Sequence, residues 1–138
     1  MHDAASGRLV SAHEYHNIAC ANGKNFIASW LNVENPSHTL SNIYGAVGTS
    51  ATAPASTDTQ LGAELARVVL GTNSRSSNIV TFSFFFNTSS GNGTWAEAGL
   101  FLNATSATNN GSLLSHLAVS EAKTSLVTAT LQIAIQIG

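Results

Sequence analysis

Residues 125–137, SLVTATLQIAIQI, place Val127, Ala129, Leu131, Ile133, Ile135 and Ile137 at every second position, with Thr128, Thr130, Gln132 and Gln136 between them. A strand turns successive side chains to opposite faces, so this spacing gives one apolar and one polar side. A helix would scatter the same residues around its circumference. The stretch therefore predicts a long, half-buried closing strand. Residues 79–86, IVTFSFFF, repeat the device with Val80, Phe82, Phe84 and Phe86 on one face and Ile79, Thr81, Ser83 and Phe85 on the other. Residues 95–102 give a third strand, with Ala96, Ala98, Leu100 and Leu102 against Trp95, Glu97, Gly99 and Phe101.

Between these strands lie loops of Gly, Asn, Ser and Thr. Residues 88–94 and 103–111 are the clearest, and the Asn-Gly ending of the second suits the positive backbone angles of a hairpin turn. It predicts a returning strand over 113–119. Shorter strands are expected at 43–47 and at 67–70, the latter ended by Gly71-Thr72-Asn73. Toward the N-terminus the spacing changes. Phe26, Ile27, Trp30 and Leu31 form a stripe on a helix over 22–31, with Asn22 as N-cap and Pro36 beyond its end. Residues 13–20 read as a preceding turn or helix that Gly23 separates from it. Residues 1–10 carry no period and form an arm. The fold class is mainly β: an antiparallel β-sandwich with one or two short N-terminal-side helices, residues 11–138 forming its single domain.

Composition narrows the function. Only 9% of residues are charged against 43% hydrophobic, where soluble domains carry roughly 25% charged. The surface must be dressed with Ser, Thr and Asn, or be buried against other subunits. Five Lys+Arg and a net charge of −2 give no basic footprint for nucleic acid. No apolar run approaches the roughly 18 residues of a membrane span. The N-terminus lacks the layout of a signal peptide, so synthesis in the cytoplasm is expected. The single cysteine, Cys20, reads as a buried structural thiol.

The segment 41–67 joins the helix to the sheet. Thr57 and Gln60 have the spacing of a capping box, Asp58 would sit in the first turn, and Leu61 and Leu65 would share a helical face. Glu64 and Arg67, three apart, would form a local ion pair. Glu97 stands in an otherwise apolar strand and needs a partner, for which Arg67 and Arg75 are the candidates. His13 and His16 are three apart where a helical zinc motif needs four, so no metal site is expected. His116, among leucines, reads as a packing residue. No phosphate loop, nucleophile elbow or paired carboxylate is present, and neither an enzyme nor a cofactor is expected; a hydrolase using Glu97 or His116 is the weakest hypothesis. Trp95 with the loops at 88–94 and 103–111 offers an alternative, a carbohydrate-binding module for host surface glycans, although core packing explains a tryptophan there better.

At 45–67, GAVGTSATAPASTDTQLGAELAR resembles a segment found in small structural proteins of tailed bacteriophages. Gly48, Thr49, Ala53, Pro54, Ala55, Asp58, Thr59, Leu61, Glu64 and Arg67 carry the likeness, and Ala46 departs from it. The helix beginning Asn-Gly-Lys-Asn at 22 and the Ala-Glu-Ala-Gly-Leu-Phe at 96–101 agree with it, so the likeness spans about 22–138. The resemblance implies a virion component of tail fibre, baseplate or head-decoration type. Its partners would be copies of itself, with a trimer the expected closed ring, and other virion proteins.

Overall fold

The computed structural model describes residues 1–33 and 42–138. Pro36 and Ser41, the first residue of the 41–67 segment, lie outside the described residues. The strands are β1 (His2–Asp3), β2 (Asn17–Ala19), β3 (Tyr44–Gly48), β4 (Glu64–Val69), β5 (Thr72–Ser76), β6 (Ile79–Phe86), β7 (Gly93–Leu102), β8 (Ser112–Lys123) and β9 (Val127–Gln136), with one helix, α1 (Ala21–Leu31). They form two antiparallel sheets, a four-stranded one in the order β1-β9-β6-β5 and a five-stranded one in the order β2-β8-β7-β3-β4. The protein is thus mainly β, with one helix on its N-terminal side.

The two strands with the strongest alternation pair with each other. Phe86 lies opposite Ala129, Phe84 opposite Leu131, Phe82 opposite Ile133 and Val80 opposite Ile135. Cross-strand partners share a face, so this register adds one apolar row to another. One core cluster takes Phe84, Phe86, Ala129 and Ile133 from the four-stranded sheet and Val47, Ala98, Leu100 and Leu117 from the five-stranded sheet. Phe26 of α1 joins it. Gly23 explains how the helix comes so close: a Cβ there would stand 2.3 Å from the Cα of Leu114 on β8. A smaller cluster of Cys20, Ala46, Leu61, Phe101, Ala104 and Leu113 occupies the other side of the five-stranded sheet.

Several expectations are corrected. The helix is capped at Cys20, not Asn22, and without a side-chain bond; the amide of Ala21 donates instead to the carbonyl of Ser56, at 2.7 Å. Its apolar stripe is only half used, since Trp30 and Leu31 are exposed. Residues 17–19 are a strand where a turn or helix was expected. No helix forms over 57–67. Residues 49–63 are a loop, and from Glu64 the chain pairs with β3. Ala66 and Val68 then pack against the core, a case of tertiary context overriding a local signal. Leu61 is buried and Leu65 exposed, so they share no face. Gly71-Thr72-Asn73, expected to end the strand at 67–70, instead leads into β5, which has no apolar residue to announce it. Residues 1–10 contribute β1, whose His2 and Asp3 pair with Thr128 and Val127.

Candidate functional site

The densest group of ionisable side chains sits on the outward side of the five-stranded sheet, beneath residues 49–63. Glu97 is on β7 opposite Gly48 of β3, and His116 on β8 is opposite Gly99 of β7. The two are therefore diagonal neighbours on one face. A Cβ at Gly48 would lie 2.4 Å from Oε1 of Glu97, so only glycine leaves the carboxylate its place.

Glu97 is 1% exposed and all its acceptor capacity is engaged. Its Oε1 accepts from the amides of Ala63 (2.8 Å) and Ser50 (3.3 Å); Oε2 accepts from the amide of Gly62 (2.9 Å) and lies 2.9 Å from Nε2 of His116. On the far side of the ring, Nδ1 lies 2.7 Å from Oδ2 of Asp58. Both ring nitrogens of His116 are thus engaged by carboxylate oxygens. Asp58 Oδ2 also accepts from the amide of Ala55 at 2.7 Å. That bond, reinforced by His116, holds the Asp58 carboxyl below its usual range despite partial burial. Asp58, His116 and Glu97 thus form a chain from the loop to the sheet. Ser50, Thr52, Asp58, Gln60, Glu97 and His116 line a small cavity of about 160 Å³ beside it.

This arrangement fastens the 49–63 loop to the sheet. Both ring nitrogens are occupied by carboxylates, and the Ser50 hydroxyl accepts from the amide of Thr52. Among the described residues, no group of three or more His, Cys, Asp or Glu is placed to hold a metal ion. The Cys20 thiol, fully buried beside the same loop, is pushed up to about 11 by burial and by the Asp58 charge, which makes it a packing group.

A second fastener lies nearby. Arg67 bonds Glu64 twice, Nε to Oε1 at 2.6 Å and Nη2 to Oε2 at 2.8 Å. Its Nη1 donates to the carbonyls of Thr105 and Asn110, and its guanidinium lies 4.6 Å from the Phe101 ring centroid. The amide of Asn109 donates to Glu64. The pair ties the 103–111 loop to β4. In a regular strand, residues three apart point to opposite faces; here Val47 pairs with Ala66 and Gly48 with Glu64, so Leu65 is an extra, bulged residue that turns Glu64 to the side of Arg67.

Of the residues singled out from sequence, Glu64 and Arg67 do form their ion pair, on a strand instead of a helix. Glu97 pairs with neither arginine: Arg67 is committed to Glu64, and Arg75 donates to the carbonyl of Ser77. Thr57 and Gln60 are exposed loop residues with no helix to cap. Asp58 bonds back to Ala55 where a cap would bond forward. Trp95 is 4% exposed, tilted against Phe86 at 5.1 Å between ring centroids, with its indole N–H on the carbonyl of Gly91. It offers no face to a sugar. His116, read from the sequence as a packing residue, is the partner that Glu97 finds. A carboxylate in an apolar strand demanded a polar partner, and a histidine on another apolar strand was the one signal for it. The chain matches no protein-family model, and no curated protein matches it significantly.

Proposed function

We propose that the chain is a non-enzymatic structural component of a tailed-bacteriophage particle, decorating the capsid or building the tail. In this reading it is a β-sandwich that works as a homo-oligomer, with the trimer as the expected ring, and meets other virion proteins through its outer surfaces. One observation carries the assembly role. The ionic clusters beneath the loops close on themselves, while twelve large apolar side chains among the described residues stay exposed on a chain with 9% charge. A surface so poor in charge and so provided with apolar groups suits contact with protein more than with water. The phage assignment rests on the likeness at 45–67. A glycan-binding role has no exposed aromatic at Trp95 to rest on.

Size-exclusion chromatography with light scattering tests the assembly, and labelled chain located in reconstructed particles tests the virion. A defined oligomer that binds capsids or tails is expected. A stable monomer at micromolar concentration that binds neither would overturn the proposal.

A further inference from the structure

The outward face of the four-stranded sheet has a composition unlike the rest of the molecule. Ladder partners share a face, so the register identifies every residue on it. β6 presents Ile79, Thr81, Ser83 and Phe85. Their partners on β9 are two glutamines, an alanine and a threonine, and β5 adds only threonine and serine. At the edge, β1 adds His2, opposite Thr128. None of these positions is Asp, Glu, Lys or Arg. The charged residue of β5, Arg75, pairs with Val80 and so belongs to the opposite face; Asp3 of β1 pairs with Val127 and does likewise. Phe85 is 55% exposed and Ile79 is 39% exposed on this neutral surface.

We infer that this face is an interface with a second copy of the chain, stacked sheet against sheet about a twofold axis, with Phe85 at its centre. The inference rests on the homo-oligomeric reading above and names the contact. Charge is the argument for a second copy. In an isologous contact each residue meets the same patch on its partner, so a face carrying net charge repels itself and one carrying none does not. Side chains of this kind also let sheets approach closely: Thr, Ser and Ala are short, and stacked sheets sit about 10 Å apart. A protein partner with a charged surface would find no counter-charge here. The twofold predicts even-numbered species, a dimer or a pair of rings.

Phe85→Glu and Ser83→Glu, both outward, are compared with wild type and with Leu31→Glu on the exposed end of α1, by light scattering over a concentration series. Circular dichroism verifies that each variant is folded. Wild type and Leu31→Glu are expected to give the same even-numbered mass. The two sheet variants should give half of it, their dissociation constant raised about a hundredfold or more by an unpaired buried charge. An oligomer of unchanged mass in both sheet variants overturns the interface but leaves the assembly reading standing. A wild-type monomer overturns both.

Discussion

On the five-stranded sheet the outward face is roofed by residues 49–63 and 103–111, and the roof is held by ionic groups: Asp58, His116 and Glu97 under one loop, Glu64 and Arg67 under the other. On the four-stranded sheet, among the described residues, the outward positions of the strands carry no Asp, Glu, Lys or Arg. Three of the chain's seven acidic residues, Asp58, Glu64 and Glu97, thus pin loops over one sheet, with Arg67 and His116 as their partners. The contrast teaches where charge has been placed in a chain that has little of it. A buried ion pair is a poor source of net stability but a costly thing to break, because the partner left behind has lost its water. Such groups fix geometry. The other face has no such group to fix, and it is the face we infer to meet a second copy.

The comparison predicts its largest effect at Glu97. Glu97→Ala leaves His116 and the amides of Ser50, Gly62 and Ala63 without their acceptor in a site 1% exposed, and should cost about 3–5 kcal/mol in denaturant unfolding. A loss below about 1 kcal/mol would mean that Leu61 and its apolar neighbours hold the roof unaided, and the contrast between the faces would fail. Arg67→Met comes next. Methionine keeps an apolar stem over Phe101 but leaves Glu64, whose side chain is 1% exposed, with the amide of Asn109 as its remaining donor. A loss of about 2–3 kcal/mol is expected. Hydrogen exchange should localise it to residues 103–111, and a spread over the whole chain would show that the pair supports the sheet more than the loop.

The sheets were legible before the fasteners. Alternation marks a strand wherever one face is buried and the other wet, and β6, β7 and β9 announce themselves in this way. β5 escaped because an edge strand of TNSRS has no buried face, and its neighbour, not its composition, makes it a strand. The helix expected at 57–67 failed for the converse reason: the capping spacing was local, whereas β4 is specified by β3, some twenty residues earlier in the chain. The fasteners were illegible because they join residues distant in sequence. Asp58 and His116 are 58 apart, and no spacing rule connects them. Glu64 and Arg67 were found through helical logic that a bulge at Leu65 happens to imitate.

Asp58 gives a smaller, pH-dependent effect. Its folded value lies below the ordinary 3.8, first because of the Ala55 amide and then because of His116. The stabilisation is therefore complete above the unfolded value and is lost as pH falls through the folded one. Asp58→Asn should flatten that part of the stability profile below about pH 4. An unchanged acid limb would place the loss of the roof at another carboxylate. Thr57→Ala marks the lower end of the scale. Were Thr57 an N-cap, its loss would cost about 1 kcal/mol. As an exposed residue of the 49–63 loop it should change stability by no more than about 0.5 kcal/mol. A cap-sized loss would mean that the segment has helical order in solution. The roof would then be a packed element with its own stability, and the ionic chain beneath it a supplement to that packing.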